Sequence, residues 1–287
     1  MDQVKKKKSN QERSSEWSLL EEQLQHEQTY DYPRLTIVIP THNSAQSIDL
    51  TMGSVTSQNY PDLEIIVVDA CSKDRTMQIV KSYHESISRV YTVTDYNLYE
   101  MMNRGISLAR GTYICFFFPG DFYVSKDALG HMMRLAIDNE MPDLVYCACL
   151  LRNDNKEPWV LLRPLNVETL KKGKQPTSIQ SCWFRVDTLR KVGKFQPLYS
   201  LRGGYDLFCR LRLVEKLRVA ISERVLTDYD RRELVASHLI RYSNETLSVI
   251  FKRFGFIAAF KWWVVLNHFR IVKWWLKRLK AVFLGIR

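Results

Sequence analysis

A polar stretch over 1–30 gives way abruptly to apolar runs. The first, Leu-Thr-Ile-Val-Ile over 35–39, is short, rich in β-branched residues and stopped by Pro40, which predicts a buried strand. A polar loop over 41–47 follows, then helical spacing as far as Gln58 and an Asn-Tyr-Pro-Asp turn at 59–62. The second run, Leu-Glu-Ile-Ile-Val-Val over 63–68, predicts another buried strand ending at Asp69. Ser72 and Asp74 lie in the next loop, and 74–83 suits a helix. A weaker strand over 90–93, a helix over 99–109 closed by Gly111, and a strand over 113–118 ending at Pro119-Gly120-Asp121 complete the pattern.

Strands alternating with helices predict parallel βαβ units. The fold class is therefore α/β, a Rossmann-like and mainly parallel sheet flanked by helices. Polar residues follow the strand carboxyl ends, where open sheets of this kind bind ligands. The first such loop reads Pro40-Thr-His-Asn43 and lacks the Gly-x-Gly-x-x-Gly turn, which argues against a nicotinamide dehydrogenase. Asp69, at the tip of the second strand, suits hydrogen bonds from a base or ribose, or equally the capping of a turn.

Charge changes the picture only at one end. The net charge is +11, but nine Lys/Arg and no acid fall within 252–287, so +11 less these nine leaves +2 for the rest. That balance speaks for a local basic surface and against a nucleic-acid partner. The six cysteines show neither a Cys-x-x-Cys pair nor a metal-ligand spacing, as expected of reduced thiols in a cytoplasmic protein. The 1–30 extension carries Lys5, Lys6, Lys7 and Lys8 but no apolar signal core, so export by that route is not expected.

At the other end, the apolar stretches 254–260 and 262–266 are separated by Lys261, and neither reaches the about 20 residues needed to span a bilayer. At helical spacing Arg270, Lys273, Lys277 and Lys280 share one face, while Ile271, Val272, Trp275, Leu279 and Val282 gather opposite. This predicts a C-terminal amphipathic helix lying in a membrane interface, or one packed on the main domain with its basic edge in water.

Several blocks together resemble the family 2 glycosyltransferases of the GT-A fold. They are Pro40-Thr-His-Asn43, Ser54-Val55, Gln58-Asn-Tyr-Pro61, and Glu64-Ile-Ile-Val-Val-Asp69 with Ser72, Asp74 and Thr76. The stretch Asp95-Tyr-Asn-Leu-Tyr-Glu-Met-Met-Asn-Arg-Gly105 is similar to a second family block, in the form common among bacterial exopolysaccharide and lipopolysaccharide (colanic-acid-type) transferases. Asn97 stands where the family usually has Gly, and Glu100 where it has Asp.

Three regions follow: the polar basic 1–30 extension, a GT-A domain over 31–240 that the resemblance implies, and the basic aromatic helical membrane-surface segment over 241–287. The resemblance also implies that Pro40, Thr41, Asn43 and Asp69 hold the base and ribose of a nucleotide-sugar donor. Asp95, Asn103 and Arg104 would lie against ribose and diphosphate. Asp121 occupies the place of the family's metal-binding Asp-x-Asp, of which only the last carboxylate remains, and implies Mg²⁺ or Mn²⁺ shared with the diphosphate.

The family's acidic pair before an aromatic and Asp-Leu reads here Gly203-Gly204-Tyr205-Asp206-Leu207. Gly204 thus falls where the general base should be, leaving Asp206 as the candidate. The implied activity is transfer of a sugar, with inversion, to a hydroxyl of a glycan or lipid-linked acceptor in cell-surface polysaccharide synthesis. The enzyme would sit on the inner face of the cytoplasmic membrane. A non-catalytic nucleotide-sugar-binding or scaffold protein is the alternative that Gly203-Gly204 leaves open.

Overall fold

The structure, a computed structural model, describes residues 30–153, 156–230 and 238–267. The described residues from Tyr32 onward form one compact unit. Its first half follows the alternation in the sequence: β1 (Leu35–Thr41), α1 (Ile48–Thr56), β2 (Leu63–Asp69), α2 (Thr76–Ser82), β3 (Arg89–Thr92), α3 (Leu98–Leu108) and β4 (Tyr113–Phe116). β4 is two residues shorter than predicted, because the chain leaves the ladder at Phe117 to form the loop that carries Asp121.

The second half adds β5 (Phe122–Tyr123), α4 (Ala128–Asp138), β6 (Leu144–Asn153), β7 (Lys156–Leu161), α5 (Val167–Lys171), β8 (Cys182–Arg185) and α6 (Val186–Val192). It closes with α7 (Gly203–Arg212), β9 (Val219–Asp230) and α8 (Leu239–Lys261).

The strand order is β3-β2-β1-β4-β8-β6-β9-β5, with β7 on β6. β1 pairs parallel with both β2 and β4, while β8 is antiparallel to β4 and to β6. From β1 the chain thus winds outward through β2 and β3, then returns to place β4 on the other side of β1. That reversal makes β1 and β4 the switch point of the sheet, at whose carboxyl ends open α/β folds bind ligands.

Both faces of the sheet are covered, which is why its strands read as unbroken apolar runs. On one face Leu35, Ile37, Ile39, Ile65, Val67 and Phe117 pack under α1 and α4. On the other, Val38, Ile66, Val68 and Phe116 meet Met101, Met102 and Ile106 of α3, together with Leu207 and Phe208 of α7. Val249 and Ile250 of α8 join this second core, as do Ala259 and Trp262. The first turns of the 241–287 segment are therefore part of the folded unit. Its predicted basic face, from Arg270 to Lys280, lies outside the described residues, as does most of the 1–30 extension.

Candidate nucleotide-sugar site

The loop after β1 is held by a chain of hydrogen bonds whose polarity resolves itself. The Ala70 carbonyl, 2.7 Å from His42 Nδ1, only accepts, so Nδ1 carries the proton. In the neutral ring Nε2 is then the acceptor for Asn43 Nδ2, 3.1 Å away. That turns Asn43 Oδ1 to the backbone N–H of Lys73, at 2.8 Å. The Tyr96 ring, from the loop between β3 and α3, lies 5.1 Å from the His42 ring.

Ser72 links this loop to Asp69. It accepts from the Asn43 N–H and donates its own hydroxyl and backbone N–H to the Asp69 carboxylate. Asp74 and Thr76 latch the next turn, receiving the N–H groups of Ala45 and Ser44. The Thr76 hydroxyl draws the Asp74 carboxyl below its ordinary range. Asp69, 3% exposed, thus does perform the turn-forming role. A carboxylate has about four lone-pair positions, so those two bonds leave it acceptor capacity.

Thr41 ends β1 with its hydroxyl buried and without a hydrogen-bond partner among the described residues. Leaving such a group unmatched costs about 1–3 kcal/mol. Trp183 Nε1 is orphaned too, but inside the core, where the ring lies beside Tyr123. Thr41, in contrast, stands at the carboxyl end of β1, beside Asp69 in the ladder.

In the loop between β4 and β5, Asp121 is 2% exposed. Its Oδ2 accepts from Gln180 Nε2 at 2.9 Å and from the Phe118 N–H at 3.2 Å. Thr51 of α1 fixes the surrounding turn, donating to the Asp121 carbonyl at 2.8 Å and accepting from the Gly120 N–H at 2.9 Å. Among the described residues no three His, Cys, Asp or Glu side chains converge as a metal cage. One carboxylate still fits Mg²⁺ or Mn²⁺ if a diphosphate supplies further oxygens, the usual mode for Mg²⁺.

The second block divides. Asp95 is exposed, just beyond β3, whose last residue pairs with Asp69. Arg104 is fixed against β3, its guanidinium carbon 3.9 Å from the Tyr91 ring centroid. Asn103 points elsewhere. Its amide makes both a 2.8 Å bond from Nδ2 to the Phe195 carbonyl and a 2.8 Å bond from the Phe195 N–H, so it clamps that segment to α3. Asn97 caps α3, accepting from the N–H groups of Tyr99 and Glu100, a role that the family's usual Gly lacks.

Asp206 is the main correction. Its carboxylate is fully buried, with Oδ2 2.8 Å from Arg210 Nε and Oδ1 2.9 Å from both Nε and Nη2 of Arg253. A general base must reach a substrate proton. Asp206 is enclosed by two guanidinium groups instead, and acts as an ion-pair node joining α7 to α8. The neighbouring glycines are equally constrained. A Cβ at Gly203 would lie 2.7 Å from the Tyr99 ring, and one at Gly204 would lie 2.7 Å from Ile179 Cγ1. Close packing therefore occupies the place of the family's acidic pair.

Sequence reasoning missed the partners of these residues, chiefly Gln180 on Asp121 and Arg253 on Asp206. Only Arg210, four residues from Asp206 on one helix, carried a local signal.

An Asp at one strand tip, a buried hydroxyl at the next and a carboxylate in the loop after β4 stand at the switch point of an α/β sheet, where such folds bind ligands. Comparison with known proteins places the chain further. The profile of glycosyl transferase family 2 matches residues 36–192, and the chain belongs to that family. It is 31% identical over 181 residues, 62% of this chain and 69% of the other, to a PGL/p-HBAD biosynthesis glycosyltransferase of Mycobacterium bovis (strain BCG / Pasteur 1173P2).

Among solved structures it resembles S. aureus TarS 1–349 in complex with UDP, with a TM-score of 0.60 and 17% identity over 77% of this chain and 66% of that one. It also resembles the mannosyltransferase PcManGT from Pyrobaculum calidifontis in complex with GDP-Man and Mn²⁺, with a TM-score of 0.61 and 18% identity over 83% of this chain and 71% of that one. The fold is GT-A.

Proposed function

We propose that this chain transfers a sugar from a nucleotide-diphosphate sugar to a hydroxyl of a glycan or lipid-linked acceptor, with inversion, in cell-surface polysaccharide synthesis. The observation that carries the reading is the buried Thr41 hydroxyl, unpartnered among the described residues, beside Asp69 at the carboxyl end of β1, with Asp121 in the loop after the neighbouring β4. The family membership and the nucleotide-bound structural relatives support it.

In this reading Pro40, Thr41, Asn43 and Asp69 receive base and ribose. Their geometry is preset by Ser72 and His42, so little ordering remains to be done on binding. Asp95 meets the ribose edge, and Arg104, held on Tyr91, offsets phosphate charge. Asn103 positions α3 and leaves the donor to its neighbours. Asp121, steadied by Gln180, would hold Mg²⁺ or Mn²⁺ together with the diphosphate. Bound there, the metal neutralises charge growing on the departing nucleotide.

Membrane contact belongs to the same proposal. Ile257 and Val264 are exposed on and just beyond α8, interleaved with exposed Lys252 and Lys261. Among the described residues no helix is long and apolar enough to cross a membrane. An apolar face flanked by cations suits a peripheral position on an anionic leaflet, which we assign to the inner face of the cytoplasmic membrane.

The test is calorimetric binding of UDP and GDP, each with and without Mn²⁺, to the wild type and to Asp121→Ala. Metal-dependent binding of one nucleotide, lost in the variant, is expected and names the donor class. Failure of both nucleotides to bind under any condition removes the proposal.

A further inference from the structure

α8 is not one straight helix. At Gly255 the backbone takes φ 82° and ψ 177°, a conformation essentially restricted to glycine, and the helix bends there. The bend brings two sets of side chains to face each other: Asn244, Ser248 and Phe251 from before it, and Phe256, Phe260 and Trp263 from after it. Between them lies a cleft of about 490 Å³. That volume falls in the roughly 300–1,000 Å³ range of small-molecule sites. Beyond Asn244 and Ser248 its walls are apolar, and its three Phe rings are more than half exposed. Such a surface is unusual in a folded unit unless something covers it.

The polar end of the cleft has a definite place. Glu245, beside Asn244, accepts the backbone N–H groups of Ser200, Leu201 and Arg202, immediately before α7. Arg253, two residues before the bend, holds Asp206 within α7. The first half of α8 is thus bound to the start of α7, at Gly203-Gly204, where the family resemblance locates the acceptor end of the site. Charge points to the headgroup. The Glu245 carboxylate is taken up by the three N–H groups before α7, and Lys252 stands exposed one helical turn beyond Ser248.

We infer that this cleft seats the hydrocarbon chain of a lipid-phosphate acceptor. The chain lies between Phe251, Phe256, Phe260 and Trp263, and the head emerges at Asn244 and Ser248 toward the start of α7. A concave cleft with walls on two sides suits one flexible chain better than a flat bilayer surface. The inference rests on the transferase reading for the identity of its ligand as an acceptor, and on the bend of α8 for the site.

The test uses the full chain and farnesyl monophosphate bearing a photoactivatable diazirine, below its micelle concentration, with cross-links mapped by mass spectrometry. The expected result is saturable labelling within 244–263, displaced by unlabelled farnesyl monophosphate and not by inorganic phosphate. In Phe256→Asp/Phe260→Asp, which alters two exposed rings, labelling should fall about tenfold, equivalent to about 1.4 kcal/mol. Melting temperature and nucleotide binding should be unchanged.

Four results overturn the inference: labelling that does not saturate, labelling confined to 268–287, equal displacement by phosphatidylglycerol vesicles, or a dimer of the wild type that the double variant dissolves. Nucleotide binding on the same sample separates the two readings. Its absence with labelling intact refutes the transferase and leaves a lipid site, while the converse removes only the cleft.

Discussion

Replacing Asp206 with Asn separates a structural role from a catalytic one. The substitution keeps the side-chain shape but removes the charge that Arg210 and Arg253 share. It also turns an amide N–H toward one of the guanidinium groups. Breaking a buried pair by removing one partner typically costs about 3–5 kcal/mol, mostly from the charge left behind. Two features place this case at the low end. Arg210 also donates to the carbonyls of Val192, Gly193 and Lys194, which continue to solvate it, and the Arg253 side chain is 19% exposed.

The expected loss is therefore about 3 kcal/mol, measured by urea denaturation with the slope unchanged. For a unit of this size, that corresponds to a melting temperature lower by roughly 6–12 °C. Turnover per folded molecule should be retained. The reasoning is refuted if Asp206→Asn melts with the wild type but loses about 10²–10⁴-fold in turnover together with the acidic limb of its pH profile. That would be the signature of a general base.

Three further outcomes follow from neighbouring contacts. Gly204→Asp, which restores the family's acid, should lower stability by about 1–3 kcal/mol because its Cβ meets Ile179, and adding Ile179→Ala should recover part of the loss. Asn97→Ala should cost about 1 kcal/mol in denaturation through the lost α3 cap, while Asn97→Gly should cost only a few tenths. Gln180→Leu removes the amide that holds Asp121 and should weaken Mn²⁺-dependent nucleotide binding about 10–100-fold, leaving metal-free binding unchanged in the same titration. An unaltered Mn²⁺ response would mean that Gln180 does not orient Asp121.

The sequence by itself determined the β1-to-β4 half of the sheet and its ligand-bearing edge. Runs such as 35–39 and 63–68 are apolar at nearly every position because both sheet faces are covered, and the turn residues between them are local signals. The same locality made Thr41, Asn43 and Asp69 legible as neighbours at one edge of the sheet, since a strand end and the loop after it are one stretch of chain. β6 and β9 were not foreseen. β6 carries the same apolar signal over 144–151, whereas β9 has Ser222, Glu223 and Arg224 within it, so neither an apolar run nor regular alternation marks it.

Tertiary structure alone decided what Asp121, Asn103 and Asp206 do. Gln180 reaches Asp121 from 59 positions away, Phe195 reaches Asn103 from 92, and Arg253 reaches Asp206 from 47. An Asp on a helix reads alike in sequence whether it faces a substrate or two arginines. Burial and partners at long separation set its chemistry, and these exist only once α7 and α8 have packed together.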